Sequence, residues 1–363
     1  DMAKMKIEAT HAYKRRHGHS LRDRLVAHLP AYAPYASRLA GLMNLRNRAP
    51  WLARLGERWL GIAAGRSLPH WQSRHFFNRG AADTPATASR DEVLAAARPV
   101  VLFVDTFNGY FESANAEAAV RVLQRAGYTV HVAARDDGRG APLCCGRTYL
   151  ATGMVDQARE QARALVAALQ PFAQRGIPIV GLEPSCLLSL RDEALALGLG
   201  EAAQQVAAQA VLVEEFLAAQ ARDGQLQALA DSLRPLDAPL LVHGHCHQKA
   251  FEAMPAVGKV LGEVLPFREA PDREKIGVLC QHRNRLADVL GFGRGLAGFG
   301  QRGGVDGIDH PRVCRHPFAQ SVGDALGVDP QHAARWQGTQ CRQGLFVGAQ
   351  VHAIGSQALG QAR

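Results

Sequence analysis

Adjacent cysteines cannot easily form a disulfide with each other, but both can face one metal centre. Such a pair occurs in the run Leu143-Cys-Cys-Gly-Arg-Thr-Tyr-Leu150. Two further cysteines have compatible settings: Cys186 in Glu183-Pro-Ser-Cys-Leu-Leu188, and Cys246 in His243-Gly-His-Cys-His247. Thiolates delivered from several loops are how soft-metal sites are built, so Cys144, Cys145, Cys186 and Cys246 are the candidate metal ligands. Each must lose its proton to bind, and nearby backbone amides lower the thiol pKa and tune a cluster's potential. The alternative for the pair is two buried structural thiols, but its glycine-flanked loop favours ligation. Cys186 follows Pro184 and Ser185 and fits the first turn of a helix, where the dipole stabilises a thiolate. No Cys-His-Asn arrangement accompanies it, so a nucleophilic role is the weaker reading. On an extended strand His243, His245 and His247 would share one face and Cys246 the other. The expectation there is Cys246 with one histidine as neighbour or proton carrier.

These residues need a scaffold, and the pattern between Pro99 and about Leu265 supplies one. Val100–Val104 reads as a continuous apolar strand ending at Asp105, Ala114–Ala126 as a helix, and Tyr128–Ala133 as a second strand before the cysteine pair. A helix over Asp156–Gln174 leads to a strand over Ile177–Leu182 and then Cys186. An Ala- and Gln-rich helical region precedes a strand over Pro239–His243 and then Cys246. Alternating strands and helices predict an α/β fold with a Rossmann-like parallel sheet. Every motif cysteine then lies just beyond the carboxyl end of a strand, where open α/β sheets place their ligands.

The 363 residues, 47% hydrophobic, suffice for a sizeable core without disulfide staples, and seven cysteines fit a reducing compartment. With no apolar stretch near the roughly 20 residues of a span and no leader pattern, the expected location is cytoplasmic. The net charge of +9 is concentrated in residues 1–80, with 15 Lys and Arg against 4 Asp and Glu. That segment reads as helical, opened by Met2, Met5 and Ile7 and broken at Pro30, Pro34 and Pro50. The helical spacing in Trp51-Leu-Ala-Arg-Leu-Gly-Glu-Arg-Trp-Leu60 suggests an amphipathic helix docked on a neighbour, with an anionic membrane face or acidic partner as the alternative. Nucleic acid is not expected as a partner. Residues 81–98 read as a linker.

Beyond Lys275 the remaining 88 residues contain no Lys, Glu or Tyr. About ten Lys and Glu would be ordinary in such a length. A low-complexity tail or a shifted reading frame would produce this, and the latter is the expectation. Gly293-Arg-Gly-Leu-Ala-Gly298 fits a dinucleotide fingerprint only on paper, having no clear strand before it. Cys280, Cys314 and Cys341 lack metal spacing relative to one another.

Val104-Asp-Thr-Phe-Asn-Gly-Tyr-Phe-Glu112, the Cys-Cys-Gly run, Glu183-Pro-Ser-Cys-Leu-Leu-Ser-Leu-Arg-Asp192 and His243-Gly-His-Cys-His-Gln-Lys-Ala250 together resemble the cysteine-rich CCG domain. This domain occurs in the B-type subunit of heterodisulfide reductase, in the iron–sulfur subunit of glycolate oxidase and in the C-type subunit of anaerobic glycerol-3-phosphate dehydrogenase. The resemblance covers residues 1 to about 265 and is nearest to versions fused to flavin-linked D-lactate, glycolate and D-2-hydroxyglutarate dehydrogenases. There a flavin domain, a ferredoxin-like domain and a basic helical connector precede two CCG modules. It implies a connector at 1–80, a first module at 99–235, the start of a second at 236–280 and an atypical tail at 281–363. Cys144, Cys145 and Cys186 would serve the first module and Cys246 would open the second. The implied role is the electron-transfer portion of a flavin-dependent 2-hydroxy-acid dehydrogenase, carrying a 4Fe-4S-type cluster. FAD would sit on a domain absent from the chain, and a quinone or cytochrome would accept electrons. No general base for substrate oxidation can be named, so the chain alone is not expected to be catalytically competent. A zinc-binding structural or interaction module is the alternative, and a peripheral membrane contact at the inner face goes with the basic connector. Three departures stand out. Asp105 is where complete family sites have a cysteine, Glu183 is where some relatives have another, and the second Cys-Cys-Gly is missing, with only Cys280 near its place.

Overall fold

The computed structural model describes residues 2–79, 85–135, 142–233 and 242–264. All but Val242 and His243 of these lie in one of the two compact units into which the chain divides. The motif at 293–298, Cys280, Cys314, Cys341, most of the Pro239–His243 strand and the tail beyond 280 lie outside the described residues.

The N-terminal segment folds into six helices: α1 (Met2–His17), α2 (Leu21–Ala27), α3 (Leu29–Arg38), α4 (Ala40–Met43), α5 (Leu45–Arg48) and α6 (Pro50–Leu60). Two of its prolines start helices instead of merely breaking them. Pro30 and Pro50 sit in the first turns of α3 and α6, where the missing N–H has no intrahelical partner to lose. Pro34 lies inside α3. Ser20 begins α2 with a capping box, its hydroxyl accepting from the Asp23 N–H while the Asp23 carboxylate accepts from the Ser20 N–H.

The α/β part runs α7 (Arg90–Ala95), β1 (Pro99–Phe103), α8 (Thr106–Tyr110), α9 (Ser113–Arg125), β2 (Thr129–Val132), α10 (Arg147–Ala151), α11 (Val155–Ala173), β3 (Ile179–Gly181), α12 (Pro184–Arg191), α13 (Glu193–Ala196), α14 (Gly200–Gln209), β4 (Ala210–Leu212), α15 (Val213–Arg222) and α16 (Gln227–Ser232). After the undescribed stretch come α17 (Cys246–Ala250) and α18 (Met254–Lys259). The four strands form one parallel sheet in the order β2-β1-β3-β4, with Val100 opposite Val130, Leu102 opposite Val180 and Val180 opposite Val211. The expected α/β parallel-sheet class is therefore the observed one. The expected strands over 100–104, 128–133 and 177–182 are β1, β2 and β3, the first displaced by one residue and the other two shorter. Several elements fall where none was expected, among them α7, inside the stretch read as a linker, α8, directly after β1, α10, directly after the cysteine pair, and β4, inside the Ala- and Gln-rich region.

A parallel sheet must be covered on both faces, and strand alternation divides the core accordingly. Val101, Phe103 and Ile179 pack with Leu165, Leu169 and Phe172 of α11, Leu187 and Leu190 of α12, and Val206 of α14. Val100, Leu102 and Val180 pack on the opposite face with Val120 and Leu123 of α9 and Phe216 and Leu217 of α15. Cys145 and Cys186 belong to the first of these layers.

The connector is fastened to the sheet domain at two places. Ala27 of α2 packs with Tyr149, Leu150 and Ala158, and Ile7 of α1 lies against them. Polar ties add to this: His11 Nδ1 donates to the Gly153 carbonyl at 2.8 Å, Thr148 Oγ1 to the Ala27 carbonyl at 2.8 Å, and Lys4 pairs with Asp192 at 2.5 Å. At the other place Ala33, Ala36 and Ala40 pack with Trp71, Tyr110 and Phe111. There the buried Asn44 side chain donates to the Trp71 carbonyl and accepts from its N–H, both at 2.9 Å. Among the described residues no helix is long and apolar enough to cross a membrane.

Candidate metal centre

Each site residue is placed by the end of a strand or the start of a helix. β1 runs out into Asp105, whose Oδ1 accepts from the Phe107 and Asn108 N–H groups at 2.8 and 3.1 Å and so caps α8. Its Oδ2 accepts from Asn108 Nδ2 at 2.6 Å. β3 runs out into Glu183, which caps α12 by accepting from the Ser185 N–H at 3.4 Å and Ser185 Oγ at 2.7 Å. Pro184 opens that helix and Cys186 is its third residue, in the first turn as expected. Gly146 caps α10 at φ +83°, which brings the backbone tightly past α11 and leaves the cysteine pair just ahead of the helix.

Cys144, Cys145 and Cys186 are all buried, and the structure brings their sulfurs together. Of the three, Cys145 is the one whose thiolate form the surroundings favour. Hydrogen bonds from the Cys144 and Cys186 thiols hold it well below the ordinary cysteine range against the opposing effect of burial, helped by the Arg147 N–H and guanidinium. Cys144 and Cys186 are correspondingly held well above that range, first because their protons bond Cys145 and then because they are buried. The Gly146 N–H donates to Cys144 Sγ at 3.3 Å. These amide-to-sulfur bonds are the kind that tune thiolate ligands.

Acidic groups crowd the same place. Burial, reinforced by the Glu183 carboxylate, raises Asp105 to about 7 despite its three hydrogen bonds. Burial also raises Glu183, and both carboxylates help to keep the Cys186 thiol protonated. Nearby Glu214 reaches about 7, again chiefly through burial, and its enclosed Oε2 has no hydrogen-bond partner.

α17 closes over this region with its histidines and not its cysteine. His245 caps the helix and its Nε2 lies 4.0 Å from Glu183 Oε1. His247 Nε2 accepts from Arg147 Nη2 at 2.7 Å, and Arg147 also pairs with Glu193. The two imidazoles stack at 5.1 Å, and burial followed by the Arg147 charge pushes His247 down to about 4, so it is neutral. The alternation of an extended strand does not apply to these residues, because the chain turns into a helix at Cys246, and Cys246 is exposed where the other three cysteines are buried. Among the described residues, no group of three His, Cys, Asp or Glu side chains is arranged as it stands to hold one ion.

Arg147, Glu193, Thr106 and Glu214 are the contributors that sequence reasoning missed. Arg147 left a signal: a cation in the first turn of a helix opposes the dipole, which marks a residue held there by acidic partners. The Thr106 hydroxyl bonds Cys144, yet nothing distinguishes it in sequence from any residue of a strand-to-helix turn.

The chain is 26% identical over 202 residues to D-2-hydroxyglutarate dehydrogenase of Escherichia coli K12, covering 54% of this chain and 19% of that protein. With its counterpart from Pseudomonas putida it shares 27% over 188 residues, 50% of this chain and 18% of the other. The C-type subunit of anaerobic glycerol-3-phosphate dehydrogenase from Escherichia coli K12 is 25% identical over 175 residues, 48% of this chain and 41% of that one. No family model matches the chain, and no solved structure does. The chain thus spans about a fifth of the first two relatives and two fifths of the third, and its similarity to these oxidoreductases is distant and partial.

Proposed function

We propose that the chain is the iron–sulfur electron-transfer portion of a flavin-dependent 2-hydroxy-acid dehydrogenase, with Cys144, Cys145 and Cys186 as cluster ligands. The observation that carries the reading is the convergence of three buried, mutually hydrogen-bonded cysteines beyond the carboxyl ends of parallel strands. The donor set fits a cluster of the 4Fe-4S type in kind: soft ligands, amide hydrogen bonds to sulfur and a dry surround. It fits in charge as well. Asp105, Glu183 and the Cys145 thiolate repel one another, and a cationic metal centre relieves that repulsion. Loading would release the Cys144 and Cys186 protons. When bound, the cluster supplies one-electron transfer.

The protein's own work is positional. Gly146 and Arg147 place amide hydrogens on the sulfurs, the Arg147 guanidinium favours the Cys145 thiolate, and His247 with Glu193 fixes that guanidinium. The relatives are named as dehydrogenases, which supports a part in electron transfer; in this reading electrons come from flavin on a separate domain or subunit, through a ferredoxin-like donor, and pass to a quinone or cytochrome acceptor. The chain would not oxidise substrate by itself. Cys246 stands apart as a ligand of the second module.

One observation favours a second reading: the carboxyls of Asp105 and Glu183 are oxygen donors beside Cys186, and mixed sulfur and oxygen donors suit zinc in a structural or interaction module. Anaerobic purification followed by iron, sulfide and zinc analysis separates the two. Broad visible absorption bleached by dithionite, with iron and sulfide in equal amounts, is expected. Stoichiometric zinc without colour would refute the cluster.

A further inference from the structure

The most amphipathic helix of the connector has its apolar stripe on the outside. In α6, Trp51, Leu55 and Trp59 recur every four residues, so they form one stripe along the helix. They are 65%, 47% and 76% exposed. The side packed against the protein is instead that of the buried Ala53 and the half-buried Leu52, Gly56 and Leu60. A helix docked by its apolar face would do the reverse. Sequence periodicity led to the expectation that this helix docks on a neighbour, and among the described residues its tryptophans do not. The helix is well built for its length, with Pro50 in its first turn and Gly61 closing it at φ +63°, so the stripe is not a frayed end.

Arg54 and Arg58, both exposed, run along the flank of the same stripe. Leu42, 63% exposed, and Leu45 add apolar surface on α4 and α5 just before it. We propose that α6 lies flat on an anionic lipid bilayer, with the Trp51 and Trp59 indoles at headgroup depth and Arg54 and Arg58 on lipid phosphates. Tryptophan and arginine on adjoining stripes of a helix too short to span is the arrangement of interfacial helices. Charge selects the occupant. Residues 1–80 carry a net +11 while the rest of the chain nets −2, so a second copy of this face would meet like charge, whereas an anionic leaflet complements it. The proposal is independent of the metal chemistry at the cysteines.

The test uses the full chain in a Trp336→Phe background. The Trp71 side chain is buried, so emission changes then report Trp51 and Trp59. Phosphatidylcholine vesicles with phosphatidylglycerol should bind the chain, shift emission to the blue and expose both indoles to quenching by brominated lipid. Pure phosphatidylcholine should bind far less, and salt should weaken the anionic binding. Trp51→Ala with Trp59→Ala should lower partitioning about tenfold or more. Arg54→Gln with Arg58→Gln should lower it about thirtyfold. Quenching of Trp51 and Trp59 is read with α6 unsubstituted, so a misfolded α6 variant does not decide the matter. Absence of lipid quenching, or binding undiminished in both double variants, would overturn the proposal. So would a dimer that dissociates when the tryptophans are replaced, or an emission shift produced by a purified flavoprotein partner and not by lipid.

Discussion

Replacing Gly146 by alanine asks why the cysteine pair is followed by glycine. The residue sits at φ +83°, and a Cβ built there would lie 2.8 Å from the Ala158 carbonyl oxygen, 3.2 Å from its Cα and 3.3 Å from its carbonyl carbon. All three are backbone atoms of α11, which cannot swing aside as a side chain would. Left-handed backbone costs a residue with Cβ roughly 1–2 kcal/mol. Forcing a carbon into a packed contact adds typically about 1–3 kcal/mol. The Gly146→Ala variant should therefore lose about 3 kcal/mol. Gly176 supplies the control: it too is left-handed, at φ +69°, but nothing lies within 4 Å of its Cβ position. Gly176→Ala should lose only about 1 kcal/mol, the conformational part alone. Urea unfolding of both full-length variants, followed by circular dichroism, gives the difference directly. Because the Gly146 N–H also donates to Cys144 Sγ, pushing α10 off α11 should lower metal retention in Gly146→Ala and leave Gly176→Ala untouched. Equal destabilisation of the two variants would refute the packing argument and reduce the motif's glycine to a matter of backbone freedom.

Three further outcomes are expected. Cys145→Ser should strongly reduce metal content and remove the early-titrating thiolate absorbance of the metal-free chain, while Cys314→Ser changes neither, as metal analysis and ultraviolet titration will show. Glu214 titrates at about 7 in the folded chain against an ordinary 4.5, so the folded state holds its proton more tightly. Its stabilising effect is complete below pH 4.5 and is lost as pH rises through 7, an effect of about 3 kcal/mol, so Glu214→Gln should become the more stable protein above pH 7 and erase that part of the pH dependence of urea midpoints. Asn44→Ala should cost about 2–4 kcal/mol in the same unfolding assay, because it strips both hydrogen bonds from the Trp71 backbone at a buried position.

The strands that carry the site were legible because β1 and β3 lie in apolar runs and β2 alternates Val130 and Val132 with the polar Thr129 and His131. β4 was not, since Ala210–Leu212 is three residues long and passes straight from α14 into α15, and periodicity cannot mark a strand that short. α8 was hidden by its Asn-Gly pair, which reads as a turn; the Asp105 cap supplies what the composition lacks. Likewise, the periodicity of α6 revealed a stripe but could not say which way it faces. Burial of a neighbouring face decides that, and such burial is a tertiary fact.

The convergence of Cys144, Cys145 and Cys186 followed from topology, because β2, β1 and β3 are consecutive in one parallel sheet and the segments after their carboxyl ends share one edge of it. What topology could not reveal is the charge balance there. Asp105 and Glu183 cap the helices that follow those two strands, so each carboxylate is tied to backbone amides and cannot leave when the thiolate beside it forms. Anchored acids next to a thiol that ionises readily raise their neighbours' pKa: Asp105 is pushed up to about 7, and Cys144 and Cys186 are held well above the ordinary cysteine range. Arg147 compensates for part of one charge, and the remainder makes the site hold protons when empty of cations and release them when a cation binds. Metal loading should accordingly be strongly pH-dependent, and the two caps that look merely structural in the sequence set how steeply.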